Sequence, residues 1–330
     1  MKKHLLMAAL VAATALGLSS CDKKPVSTAT SGTMVMVCDN SFENIMSQEV
    51  DVFEHIYPEA HVLVRYGTTV QAVDSLVDGT VRTIVIPREL TEGETAKIKA
   101  EKRVPRSQKI AVDAVALIVN PENPAQFLTM DEIKVLLSGE VNNWQRLDPS
   151  YPDKPVDIVF DDPQSSLIQY MSDKLLDGGK IGSNASQAGS IQGVINAVRK
   201  NKAAVGVIGV SWLTSDLGMP IDSLSLTLMD ENDEPEDGSA INTRLSNSGV
   251  KVLGVWKEGE RVPAKPFQQN IYDGTYPLTR SIYMITTGYS SSIDGGFYSF
   301  VTGKQGQKLI MKTGVMPARA KIEVNVELVQ

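Results

Sequence analysis

Residues 34–57 read MVMVCDNSFENIMSQEVDVFEHIY, and the pattern changes period at Asp39-Asn40-Ser41. Before that turn lies a short apolar run, Met34 to Cys38; after it Phe42, Met46, Val50, Phe53 and Tyr57 recur at helical spacing. A strand, a polar turn and a helix follow one another. The same unit returns twice. His61 to Tyr66 alternates and is rich in β-branched residues, Gly67-Thr68-Thr69 makes the turn, and the spacing predicts a helix running to Gly79. Thr83 to Ile86 is strand-like, and Thr91 with Glu94 has the spacing of a capping box for the next helix. Three βα units in succession predict a mostly parallel, doubly wound sheet, because parallel neighbours need a helical crossover between them.

Beyond these units, a long β-rich run from Ile110 to Asn120 passes without a turn signal and marks a crossing into a second lobe. Thr129 and Glu132 form another capping box, with Gly139 as the helix stop. Val156 to Phe160 reads as a strand and Asp161 to Gln164 as a turn. Ser165 then opens a helix whose Leu167, Ile168, Met171 and Leu175 share one face, ended by Gly178-Gly179. Ser190 caps a helix buried through Ile191, Val194, Ile195 and Val198, which leads into the strand Ala203 to Ile208. Residues 229–246 are acidic and aperiodic, which reads as a surface loop. Near the end, Tyr283 to Thr286 is a strand and Phe297 to Lys312 a helix around Gly303. No internal repeat is visible.

The N-terminus carries a different kind of signal. Lys2 and Lys3 precede an apolar run at 5–16 that is too short to span a bilayer, and Leu18-Ser19-Ser20-Cys21 follows. Small residues before a cysteine have the form of a lipoprotein processing site. The expectation is a signal peptide over 1–20, lipidation of Cys21, and a linker over 21–32 that holds the protein to a membrane through lipid only. It would then lie in the bacterial cell envelope, facing the periplasm or the exterior. Cys38 is left with no partner for a disulfide, and its apolar neighbours predict a buried, inert thiol.

Charge narrows the partners. The formal net charge is −7, and loss of Lys2 and Lys3 makes the chain more acidic still. Nucleic acid is disfavoured, because a polyanion needs a basic face. A small anion remains open provided local donors hold it. Such donors recur at helix starts: Ser41 with Phe42, Thr68 with Thr69, and Ser165 with Ser166. In open α/β sheets ligands bind beyond the carboxyl ends of strands, where unpaired helix N–H groups favour an anion. Each of these residues also has the simpler role of capping its own helix.

Several stretches together resemble the phosphate-binding proteins that feed ABC importers. Val85-Ile86-Pro87-Arg88-Glu89-Leu90-Thr91 is similar to the family's Ser-Arg-x-Leu segment before an acidic helix, and Asp113 to Asn120 to its crossing strand. Leu136 to Trp144, Ala203 to Ile208, Tyr276-Pro277-Leu278-Thr279-Arg280 and Gly303 to Gln307 follow in the family's order. The resemblance implies an α/β, two-lobed fold of the type II periplasmic-binding-protein kind, each lobe a doubly wound mixed sheet, joined by two crossing strands. Lobe one would comprise 33–115 and 280–330, lobe two 116–279. The implied function is capture of phosphate or a similar small oxyanion between the lobes for delivery to an ABC permease. A lipoprotein that kept the fold but acts as a sensor or adaptor, with no solute to transport, is the alternative.

Carried over by residue, the resemblance places the ligand among Ser41, Phe42, Gly67, Thr68, Ser165 and Ser166. The chain departs from the family at three points. Pro87 stands where a serine precedes the arginine, Leu167 ends a turn that has a threonine in the family, and Asp161 stands where many members carry an arginine. Arg88 and Arg280 are then the candidate cations, since a guanidinium grips an oxyanion with paired donors. Asp161 would have to pair with an arginine or with a proton of the ligand.

Catalytic patterns are lacking. His55 and His61 are the only histidines after the leader, and there is no His-Glu-x-x-His, no cysteine pair, no Gly-x-Ser-x-Gly elbow and no Walker-type loop. The sequence therefore points to a binding protein with no enzyme activity, cofactor or metal. Trp144 and Trp212, single tryptophans among apolar residues, are expected in the core.

Overall fold

The computed structural model describes residues 27–214 and 249–319. The leader, Cys21 and the acidic stretch 229–246 lie outside the described residues. In the first lobe, strand β1 (Gly32–Asp39) is followed by a single 3-10 turn (Asn40–Phe42) and helix α1 (Glu43–Ile56). Strand β2 (Ala60–Gly67), α2 (Thr69–Val77), β3 (Thr83–Ile86) and α3 (Glu92–Ala100) complete the three units read from the sequence. Phe42 belongs to the 3-10 turn and not to the helix proper, because Asp39 caps the turn by accepting the Ser41 N–H.

Strand β4 (Arg106–Val119) is fourteen residues long and joins the two halves. Its first part pairs antiparallel with β11 (Thr279–Thr286) as far as Ala114, and from Val115 to Val119 it pairs with β8 (Ala204–Gly209). The second lobe is built from β5 (Phe127–Thr129), α4 (Met130–Ser138), β6 (Asp157–Phe160), α5 (Ser166–Leu176), β7 (Ala185–Gln187), α6 (Ile191–Lys200), β8 and a short helix α7 (Ser211–Thr214). After the undescribed stretch come β9 (Lys251–Val252), β10 (Gly254–Trp256), α8 (Gln268–Tyr272), β11, α9 (Ile293–Thr302), α10 (Lys304–Lys312) and β12 (Met316–Pro317).

The strand order β2-β1-β3-β11-β4-β8-β6-β7 runs as one curled mixed sheet through both lobes. Strands β2, β1 and β3 are parallel, as are β8, β6 and β7, while β11 and β4 run antiparallel to their neighbours. This is the two-lobed α/β architecture expected from the sequence.

Local chemistry fixes the element ends. Thr68, Thr91 and Thr129 each open a helix with a complete capping box, to Gln71, Glu94 and Glu132 respectively. Each such cap is worth about 1 kcal/mol. Gly139 closes α4 in the left-handed region at φ 78°, where a side chain would be strained. The expected continuous helix around Gly303 is instead two helices, α9 and α10. Gly303 is extended there, and a Cβ on it would come within 2.7 Å of the Ser299 carbonyl oxygen.

A main apolar core extends through both lobes, and a smaller one, including Val37, Leu76, Ile84, Ile86 and Ile285, lies under α2 and α3. Trp144 is fully buried and donates its indole N–H to the Ala203 carbonyl at 2.9 Å, as a core tryptophan should. Cys38 is buried, and burial pushes its thiol well up, so it stays protonated and inert. Glu49 on α1 is also fully buried, and neither carboxyl oxygen has a hydrogen-bond partner among the described residues. Desolvation pushes its carboxyl well above the ordinary range.

Candidate functional site

The register of the sheet brings the expected helix starts together. Asp39, the last residue of β1, lies opposite Gly67, the last of β2, and Cys38 lies opposite Val85 of β3. The turns after these strands therefore emerge side by side on one edge. From the other lobe, the turn after β6 delivers the start of α5 to the same place.

Four donor groups converge there on the carboxylate of Asp39. Its Oδ1 accepts the Ser41 N–H at 3.1 Å, the Ser41 hydroxyl at 2.6 Å and the Ser166 hydroxyl at 2.8 Å. Its Oδ2 accepts the Thr69 hydroxyl at 2.5 Å. The two serine oxygens sit 3.1 Å apart, yet each has spent its only hydrogen on Asp39, so their contact is a close approach and not a further donor. A lone pair of Ser166 Oγ is taken by Arg280 Nη1 at 3.1 Å.

Arg280 is anchored from behind. It lies directly opposite Asp113 on the paired strands β11 and β4, and its Nε and Nη2 donate to Asp113 Oδ2 at 3.1 and 2.9 Å. Both side chains are almost entirely buried, at 2% and 1% exposed. Burial pushes the Asp113 carboxyl up, and Arg280 opposes that rise. The guanidinium also stacks 4.6 Å from the centre of the Phe42 ring. Gly209 at the end of β8 leaves room for the pair, since a Cβ there would meet Asp113 Oδ2 at 3.1 Å. Trp212 on α7 closes the cluster from the second lobe by donating its indole N–H to the Ser41 carbonyl at 3.2 Å.

Asp161 follows β6 and is buried beside this group. Its Oδ1 has no hydrogen-bond partner among the described residues. Burial pushes its carboxyl up, hydrogen bonds from Ser165 and the local backbone hold it back, and the nearby Asp39 charge adds to the rise. Of the two partners read for Asp161 from the sequence, an arginine or a proton of the ligand, no arginine is among its partners within the described residues. Asp162 instead accepts the Gln164 N–H at 2.8 Å and only shapes the turn.

Other expected residues fall into two groups. Ser41, Phe42, Ser166, Arg280 and Asp161 meet at this site. Thr68 and Ser165 act as N-caps of their own helices, accepting from the backbone of Gln71 and Leu167, and Ser165 also bonds Asp161 at the edge of the site. The neighbouring Thr69 supplies the hydroxyl expected of Thr68. Gly67 gives space to the Gln71 carboxamide, which a Cβ would approach at 2.6 Å. Arg88 stands apart, with both terminal nitrogens on Glu94 at 2.8 and 2.9 Å. That pair holds the Glu94 carboxyl down at about 2. Thr69 was read only as the companion of Thr68 and Trp212 only as a core residue, though it is half-buried here; the central role of Asp39 and the pairing of Asp113 with Arg280 were not read from the sequence.

Comparisons with known proteins agree with this fold. The family described as the PBP superfamily domain matches the chain over residues 24–305. A phosphate-binding protein, PstS, of Pseudomonas aeruginosa is 21% identical over 307 residues, covering 88% of this chain and 85% of its own. Among solved structures, a chain from Clostridium perfringens described as a phosphate ABC transporter substrate-binding protein, with phosphate bound, superposes at a TM-score of 0.67 with 17% identity, over 87% of this chain and 100% of that one. An ABC-type phosphate transport receptor from Vibrio cholerae gives 0.60 with 20% identity over the same shares of the two chains. Together with the two lobes meeting at a shared polar site, the family match over most of the length establishes that the chain belongs to the PBP superfamily domain family.

Proposed function

We propose that this chain is an extracytoplasmic solute-binding protein that captures phosphate, or a similar small oxyanion, between its lobes and presents it to an ABC permease. One observation carries the proposal. Hydroxyls from three helix starts, two in one lobe and one in the other, converge with a backbone N–H on a single buried negative group. A site that holds a carboxylate this way has the donors and the field for an oxyanion. The names of the similar proteins support the same ligand class and the same kind of permease partner.

The ligand-binding set is Ser41, Phe42, Thr69, Ser166, Arg280 and Asp161. In this reading the lobes, 33–115 with 280–330 against 116–279, turn about the crossing strands and exclude water. Neutral N–H and O–H donors strengthen in that drier medium. The protein acts by binding and carries out no reaction. It is held to the membrane by lipid at Cys21, which mass spectrometry of the N-terminal peptide tests directly. The function is tested by calorimetric titration of the purified protein with phosphate, sulfate, molybdate and simple sugars. Saturable heat with an oxyanion, and none with sugars, is expected; silence with every anion overturns the reading. In that case the alternative of a two-lobed sensor or adaptor gains, since the described cluster is already satisfied by groups of its own.

A further inference from the structure

The occupant of the site is part of the chain. A helix-capping aspartate needs only the N–H two residues on, and Asp39 has that bond from Ser41. It also takes hydroxyls from Thr69, at the start of a different helix, and from Ser166, 127 residues away in the other lobe. Capping explains neither. The hydroxyls of Ser41 and Ser166 are buried and lie 3.1 Å from each other, so without the carboxylate one could donate to the other, but the second hydroxyl and the Ser41 N–H would be left facing the space that Asp39 now fills.

We propose that Asp39 is a built-in anion: its carboxylate occupies the oxyanion cradle in the unliganded protein, latches the two lobes together through Ser166, and must be displaced before a solute anion binds. The proposal rests on the reading of the cradle as an oxyanion site. Electrostatics make the two occupants mutually exclusive. A second negative group within hydrogen-bond range of an ionised carboxylate, in a site closed to water and already bordered by the buried Asp161, is strongly disfavoured. Asp39 is the last residue of β1, directly before a single 3-10 turn, and in this proposal its side chain rotates away to withdraw. The unliganded protein is then mostly in a binding-incompetent, closed form, and its apparent affinity falls by the fraction that is competent. Asp39 sets how much phosphate the protein needs before it responds.

The test compares full-length wild type with Asp39→Ser and Asp39→Asn. Asparagine keeps an oxygen for the Ser41 N–H, so it serves as the variant whose fold is least disturbed. Inorganic phosphate is titrated into each by calorimetry at neutral pH, and small-angle scattering measures each protein without and with phosphate. Both variants are expected to bind phosphate at least tenfold more tightly than wild type. Both are expected to be more open than wild type without phosphate and to contract when it is added. If wild type binds phosphate and the variants bind it equally or more weakly, Asp39 is a bystander or an acceptor for a ligand proton, and the displacement model is wrong while the oxyanion site stands. If no protein of the three gives heat with phosphate or sulfate, the oxyanion reading itself is overturned and the displacement model goes with it.

Discussion

Arg88 and Arg280 began as equal candidates for gripping an anion, and the molecule uses them in opposite ways. Arg88 lies just beyond β3, its side chain 41% exposed, tied to a carboxylate six residues along the same stretch. Arg280 lies on a crossing strand, its side chain 2% exposed, tied to a carboxylate 167 residues away and then to the helix start of the second lobe. The first pair braces one helix end. The second spans the strands that join the lobes, so it is placed to feel what happens in the cleft. Surroundings, and not residue type, separate a surface brace from a site residue: an ion pair in water is worth little to break, whereas one removed from water leaves an uncompensated charge behind.

The largest expected effect comes from breaking the buried pair. Arg280→Ala is expected to lower unfolding stability by about 3–5 kcal/mol, measured by urea denaturation, because Asp113 is then left alone in the interior. A loss below about 1 kcal/mol would place Arg280 with Arg88 and dissolve the contrast. A buried acid that lacks any arginine sharpens the comparison. Glu49→Leu is expected to raise stability by about 1–3 kcal/mol at pH 8, by removing an unsatisfied buried carboxyl. The sign of the pH dependence follows from burial. The folded-state value is raised, so the stability Glu49 contributes is whole below its ordinary value of 4.5 and drains away as pH climbs towards the folded value. The leucine variant should therefore show a flatter stability profile on the alkaline side, and an unchanged profile would refute that account.

The smallest effect is reserved for Arg88. Arg88→Ala is expected to cost less than about 1 kcal/mol at pH 7, since the pair is partly solvated. The Glu94 carboxyl is held at about 2 against an ordinary 4.5, so what the pair contributes is present above the ordinary value and lost as pH falls towards 2. Thermal melts of wild type and variant should converge at the acid end of that window. Phosphate titration of the same variant should match wild type; a marked loss of affinity would return Arg88 to the site.

Much of this was legible beforehand, and the rest failed for a definable reason. The strands and turns that bring Ser41, the β2 turn and the start of α5 to one edge follow from period changes and capping boxes, which are local signals. Which of two adjacent hydroxyls caps and which reaches into the cleft is not local. Neighbours on a helix start differ by about 100° in direction, so Thr68 and Thr69, or Ser165 and Ser166, exchange roles with a one-residue change of phase. The Arg88 assignment could have been corrected from sequence alone. Glu94 was already recognised as the capping-box acid, and an acid fixed at that helix start is within easy reach of the arginine before it. Asp113 gave a fainter sign, an acid inside the apolar run of a crossing strand, where a charge needs a partner that only the distant return strand supplies.

The strand order also governs when the first lobe can exist. Strand β11 lies between β3 and β4, although nearly the whole second lobe separates it from them along the chain. Until Thr279–Thr286 has been made and has travelled back, β3 and the first part of β4 face an empty slot with their backbone groups unmatched. Assembly of that lobe is therefore a late, long-range event, slow by its topology.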